Sequence, residues 1–288
     1  MKVLPFKIPK TKRESFRVQI DDMTYFYDTL HNHAEIQITL LVKSEGTLIC
    51  GDYVGNFNEG DLFIIGANQP HVFRNNKEYY DEEISKGAYA ISLFFDRNSF
   101  GGEFFTLPEV ELLQSFLNKT QRGLKFSPQV RDKIKPIMFS IDHHNGLDRF
   151  IQLLKILQIL AETADYTFLA SANEMKHYDE AEGQRMNRIF QFTMKEYYRD
   201  ITLEEVANLA SMTPNAFCRY FKMRTRKTYI NFLNEIRIAN ACKLLKNKEF
   251  TVAQACYQSG FNNLSHFNRN FKKIHGTSPS IYAKRTVN

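Results

Sequence analysis

At 288 residues the chain is long enough for two ordinary domains, and 43% hydrophobic with 14% aromatic content excludes wholesale disorder. No stretch approaches the roughly 20 apolar residues that span a bilayer, and charges interrupt the opening MKVLPFKIPKTKRESF where a secretory signal has its apolar core, so the chain is expected to stay in the cytoplasm. Charge is divided: from Gln184 onward 18 Lys and Arg stand against 6 Asp and Glu, whereas the residues before it carry 20 against 26. A basic region of this kind suits a polyanion, because each neutralised phosphate releases counterions, although a solvated lysine-rich surface gives the same balance.

Residues from about Phe16 to Phe95 read as β. Ile36, Ile38, Leu40 and Val42 alternate with Gln37, Thr39 and Lys43, and turn clusters at Ser44-Glu45-Gly46, Gly51-Asp52 and Asn58-Glu59-Gly60-Asp61 separate short apolar runs. Such spacing predicts a sandwich or a small barrel. The period then becomes helical over Glu109 to Leu117, Pro128 to Ile141 and Leu147 to Leu169, the last with Phe150, Leu153, Leu154, Leu157, Leu160 and Ala161 in one stripe. That stripe suits either the chain's own barrel or a partner helix. Ser171 to Gly183 is polar and aperiodic, as a linker is. The four cysteines, Cys50, Cys218, Cys242 and Cys256, form no CxxC pair and read as small buried hydrophobes.

After the linker the chain repeats itself. Ile201 to Lys222 matches Phe250 to Lys272 at an offset of 49 residues that becomes 50 after the turn. Each copy opens on a capping box, Thr202-x-x-Glu205 and Thr251-x-x-Gln254, followed by a short apolar face, a turn and a second helix. The small residues Ala207 and Cys256 fall where that second helix must approach. Thr213 and Pro214 supply the cap and first position of the second helix in copy one. Between the copies, Tyr229 to Leu245 predicts one long helix with Phe232, Ile236, Ile238, Ala241, Leu244 and Leu245 buried. Two helix-turn-helix units on a rigid spacer follow.

These residues resemble the C-terminal domain of the AraC/XylS family of bacterial transcription regulators. The likeness lies in the helix LEEVANLA, Arg219-x-Phe221-Lys222 and Arg269-x-Phe271-Lys272, the Ala241 to Leu245 run, and Ser259-Gly260-Phe261 through Gly276-Thr277-Ser278-Pro279. Arg226 departs from it, standing where Gly276 stands in the second copy. The resemblance implies that each second helix enters a major groove, with Asn215, Cys218 and Arg219 facing the bases in one unit and Leu264, Ser265, Asn268 and Arg269 in the other. Lys222, Lys227 and Lys272 would then meet phosphates. Arginine grips guanine bidentately and asparagine reads adenine, while phosphate clamping is the alternative role for Arg219 and Arg269.

The N-terminal half is similar to the cupin barrel of the same family. His31-x-His33 with Gln37, and Gly60-x5-Gly66-x-Asn68-x2-His71-x3-Asn75, follow the two cupin motifs in spacing, although Gln37 stands where metal-binding cupins have Glu, and Gly66 and Asn68 replace Pro and Gly. His31, His33, Gln37 and His71 are accordingly expected to line an effector pocket, with metal ligation and structural bracing as the other roles open to them. Tyr25, Phe26, Tyr27, Phe94 and Phe95 are the aromatic candidates for its walls, and His143, His144, His177 and His275 are expected at the surface.

The resulting expectation is a two-domain α+β chain. Residues 1–170 form a cupin-like sensing and dimerisation domain, 171–183 a linker, and 184–288 an all-α domain with two helix-turn-helix units. It implies a sequence-specific transcription activator with a small-molecule effector, double-stranded DNA, RNA polymerase and a second copy of itself as partners, and with no cofactor, metal or membrane. The alternative is a metal-dependent cupin enzyme with secondary DNA binding.

Overall fold

The computed structural model describes residues 14–81, 85–171, 180–225, 227–246 and 249–285. The described residues divide into two compact units, 14–171 and 180–285. Most of the expected linker, and His177 and Arg226 with it, lie outside the described residues. No described helix is long and apolar enough to cross a membrane.

The first unit contains strands β1 (Arg17–Met23), β2 (Ile36–Lys43), β3 (Gly46–Cys50), β4 (Tyr53–Phe57), β5 (Leu62–Ile65), β6 (His71–Asn75), β7 (Ala88–Phe95), β8 (Leu124–Phe126) and β9 (Tyr166–Phe168). It also contains helices α1 (Glu111–Lys119), α2 (Pro128–Ser140) and α3 (Gly146–Glu162). Six strands pair in the order β1-β7-β2-β5-β8-β9 and three in the order β4-β3-β6, all antiparallel. The isolated bridge His31–His71 lies outside both ladders. Among the described residues these ladders do not close, so two packed sheets stand where a closed barrel was expected.

Period-two alternation decides what each face of β2 meets. Ile36, Ile38 and Leu40 join the core beneath α1, α2 and α3. Gln37 and Thr39 leave the other face, and instead of reaching solvent they too are buried, against the small sheet. The polar face of β2 is therefore an interior wall.

Helix α3 stops at Glu162 rather than Leu169. Thr163 turns extended (φ −96°, ψ 149°), its hydroxyl accepts a bond from the Asp165 amide at 3.1 Å, and Tyr166–Phe168 pairs with β8. Aromatic and threonine residues favour that pairing over another helical turn. Leu153, Leu157 and Leu160 of the expected stripe lie in the unit's own core, with Phe150 and Leu154 half-buried.

The second unit contains α4 (Glu180–Glu196), α5 (Leu203–Leu209), α6 (Pro214–Thr225), α7 (Tyr229–Lys246), α8 (Val252–Gln258), α9 (Leu264–His275) and α10 (Pro279–Arg285). Helix α4 takes in the end of the expected linker, and α10 adds a helix beyond the repeat. The repeat is a structural one: Met212 N–H donates to Ala207 O at 2.9 Å, and its counterpart Phe261 N–H to Cys256 O at 3.1 Å. Thr251 and Gln254 complete a reciprocal capping box. Thr202 likewise caps Glu205 N–H at 3.1 Å, but the Glu205 carboxylate binds Arg199 at 2.5 and 3.1 Å. A charge-assisted pair outcompetes the return bond to a backbone amide.

Helix α7 is buried on nearly every side. Tyr229 and Phe232 pack against Phe221, with Phe190 stacked on Phe232 and Phe217 edge-on to Tyr229, while Ile238, Ala241, Cys242 and Leu245 share a core with Cys256, Phe261, Phe267 and Phe271. Arg237, midway along, donates to Tyr197 O and Arg199 O, each at 2.8 Å. Both helix-turn-helix copies are thus built on one helix.

The turn between first and second helices needs a left-handed residue, at Ser211 (φ 56°) in one copy and Gly260 (φ 90°) in the other. Only Gly fits the second place, because a Cβ there would lie 2.3 Å from Tyr197 O. Gly260→Ala is expected to destabilise the helical unit by about 1–3 kcal/mol, and Ser211→Gly to leave it within about 1 kcal/mol of the parent. Chemical denaturation followed by helical circular dichroism checks both, and equal effects of the two would refute the assignment.

Candidate nucleic-acid interface and ligand cavity

The second helices of the repeat, α6 and α9, each divide into a buried aromatic face and an exposed polar one. Phe217 and Phe221 on α6, and Phe267 and Phe271 on α9, are fully buried. Asn215, Cys218, Arg219 and Lys222 are exposed on α6, and Leu264, Ser265, Asn268, Arg269 and Lys272 on α9. Cys218 therefore differs from Cys50, Cys242 and Cys256, which are buried as expected of small hydrophobes. Leu264, 38% exposed, opens α9 behind the Asn263 cap, which accepts from His266 N–H at 2.9 Å. Lys227 is placed differently from the other basic residues. It is half-buried, its Nζ 2.7 Å from Glu235 Oε2. Lys273, exposed beside Lys272, escaped the sequence reading because it has no counterpart in the first copy. His275 is exposed overall, yet its Nε2 lies 3.1 Å from Cys242 Sγ. His143 is exposed, and His144 half-buried beside Asp148.

In the first unit the alternation of three adjacent strands directs one set of side chains into a cavity of about 290 Å³. Strand β1 contributes Gln19, Asp21 and Met23, and β2 contributes Gln37, Thr39 and Leu41. Between them β7 contributes Ala90, Ser92 and Phe94, and His31, His71 and Phe73 close the far side. Of the aromatic candidates, Phe26, Tyr27 and Phe94 line it. Phe95 has the opposite parity and packs under the helices, and Tyr25 stacks on Tyr80 with ring centroids 4.4 Å apart. Gln19, Asp21 and Ser92 were not legible as cavity residues, although Gln19, Asp21 and Met23 share parity and that signal was available.

His31, His33, Gln37 and His71 come together. Each Nδ1 faces a backbone carbonyl, His31 to Thr29 at 2.9 Å, His33 to Glu35 at 2.9 Å and His71 to Gln69 at 2.8 Å. A carbonyl only accepts, so each Nδ1 carries the proton. His33 Nε2 and His71 Nε2 lie 3.1 and 2.9 Å from the Gln37 Oε1 position, and the other end of that amide lies 2.7 Å from Thr39 Oγ1. Burial holds the His71 imidazole well below its ordinary pKa, with His31 and His33 adding to the effect, and lowers His31 to about 4. The neutral His71 ring, protonated at Nδ1, offers only a lone pair at Nε2, so chemistry puts the Gln37 NH2 group against it and turns the amide oxygen toward the Thr39 hydroxyl. Thr39 in turn meets Ser92 Oγ at 2.9 Å. One ring nitrogen from each histidine lies within 4.8 Å of the others. Carbonyl-oriented imidazoles are a donor set that suits a borderline metal ion, here with an amide rather than a carboxylate beside them.

Residues 206–285 match the family pattern described as a helix-turn-helix domain. Along nearly its whole length the chain is similar to an uncharacterized HTH-type transcriptional regulator, YdeC, of Bacillus subtilis, at 24% identity over 93% of this chain and 90% of that one. It is also similar to the HTH-type transcriptional activator RhaR of Pectobacterium atrosepticum, at 20% identity over 90% and 87%. The crystal structure of a probable AraC family transcriptional regulator from Rhodopseudomonas palustris aligns over 36% of this chain and 99% of its own, with 23% identity and a TM-score of 0.35. With two exposed helix faces on a duplicated helix-turn-helix core, and HTH-type transcriptional regulators as its relatives along nearly its whole length, the chain is a DNA-binding transcription regulator similar to those of the AraC family.

Proposed function

We propose that this regulator is an effector-responsive activator in which a cupin-like sensing and dimerisation domain (1–170) acts through a linker (171–183) on a DNA-binding domain (184–288). The observation that carries the DNA part is the matched exposure of α6 and α9 on a shared core. Asn215, Cys218 and Arg219 read one box in the major groove, and Leu264, Ser265, Asn268 and Arg269 read a second. The arginines hold guanine through two parallel hydrogen bonds, and Cys218 and Leu264 offer apolar contact to thymine methyls. Lys222 and Lys272 meet phosphates, whereas Lys227 must give up Glu235 to do so.

An effector occupies the cavity beside His31, His33, Gln37 and His71 and shifts the population competent for both boxes and for RNA polymerase. This reading is preferred to a metal-dependent enzyme because the side chain beside His33 and His71 is the neutral Gln37 amide rather than a carboxylate. Arg219→Ala and Arg269→Ala are each expected to relax base preference in one box only, at about 1–3 kcal/mol, while Lys272→Ala lowers affinity for all sequences and flattens the salt slope by about one. Binding titrations on specific and scrambled duplexes decide the matter. Equal weakening on both by Arg269→Ala makes that arginine a phosphate clamp.

Dimerisation is assigned to a face of α3 that shares only Leu154 with the expected stripe. Leu147, 72% exposed, and Ile151, 36% exposed, recur with half-buried Leu154 at helical spacing on the side turned from the core. Sedimentation at tens of micromolar is expected to show a dimer, and a Leu147→Asp, Ile151→Asp variant a monomer. A parent protein that is monomeric with and without DNA contradicts the proposal.

A further inference from the structure

The cavity of the first unit has a chemical bias that goes beyond its being a ligand site. With the histidines neutral, Asp21 is the one charged residue lining it among the described residues, and no Lys or Arg is in that lining. One carboxylate oxygen accepts from Gln19 Nε2 at 2.8 Å. Arg17, on the same face of β1, acts on Asp21 only at a distance, and burial raises the Asp21 pKa above the usual carboxylate range. A partly desolvated carboxylate of this kind gains most from a cation brought to it. Phe26, Tyr27, Phe73 and Phe94 also line it, and aromatic faces attract a cation through the ring quadrupole. The acidic balance of residues 1–183, 20 basic against 26 acidic, favours the approach of the same sign of charge.

We propose that the effector is an organic ammonium compound, its cationic head on Asp21 and its apolar body against Phe26, Phe73 and Phe94. The Thr39 and Ser92 hydroxyls and the His31 ring offer polar contact deeper in the cavity. A carboxylate or phosphate ligand finds no cation in the lining to receive it, and would stand against Asp21. A ligand held this way ties the sheet's edge strand β1 to its neighbour β7 and to the loop that carries Phe26 and Tyr27.

The inference rests on the cavity being the effector site, and the test separates the two ideas. Full-length protein is titrated by calorimetry with phenethylammonium, its near-isostere 2-phenylethanol, and phenylacetate. The expected order is ammonium first, by about tenfold over the alcohol, with the acid weakest. Asp21→Asn is expected to bring the ammonium down to the level of the alcohol, with the thermal midpoint of the unliganded protein unchanged. If that variant does not fold, the order of the three probes on the parent protein still decides. Equal or tighter binding of the alcohol or the acid overturns the cation assignment and leaves the ligand cavity standing. No saturable binding of any of the three up to about 10 mM overturns both.

Discussion

The DNA-binding unit depends on a shared interior. Helix α7 gives Tyr229 and Phe232 to the aromatic core of the first helix-turn-helix unit and Ile238, Ala241, Cys242 and Leu245 to the core of the second. A helix connecting two separate units would need only one apolar stripe, whereas this one is buried nearly all round. Close-packed cores transmit displacement rather than absorb it, so neither recognition helix can swing without disturbing the other. Arg237 adds a polar clamp by holding two carbonyls of the segment that leads into α5. Its guanidinium also lies over the Phe261 ring, 5.8 Å from the centroid, so one side chain joins the segment leading into the first copy of the repeat to the turn of the second.

The first unit solves a different problem, which is to keep polar groups inside a β structure without leaving them unpaired. Gln37, Thr39 and Ser92 lie on neighbouring strands with their side chains on one face, and each uses the next as a hydrogen-bond partner. The chain ends on two imidazoles whose outer nitrogens are fixed by the backbone. A satisfied network of this kind costs little to bury and holds its members in one geometry. It leaves Asp21 as the group whose charge a ligand can answer.

What was legible in the sequence was local. Capping residues, proline at a first helical position and the 49-residue repeat are short-range signals, and they placed α5, α6, α8 and α9 with their exposed faces. Contacts between residues distant in sequence were not legible. Glu205 was read as half of a capping box because nothing local reveals Arg199 folding back onto it, and the Lys227–Glu235 pair spans eight residues, outside any helical rule. Strands β8 and β9 are three residues each and exist only through their pairing. The α3 stripe left the chain's own core and a partner helix both open, because periodicity does not say what covers an apolar face; Leu153, Leu157 and Leu160 went to the core. Parity placed Gln37 and Thr39 on one face, but without the β1–β7 register Asp21 had no neighbours to be read with.

The central claim is that one buried helix fixes both recognition helices, so that they enter successive major grooves about one helical turn apart. It is tested most directly on a duplex selected from random sequence by the full-length protein, compared with the same duplex carrying an insertion of about five base pairs, half a turn, between its two boxes. The insertion is expected to lower affinity to that of a site with one box destroyed, with protection lost over one box. Equal affinity for the two spacings, with both boxes protected, would contradict it.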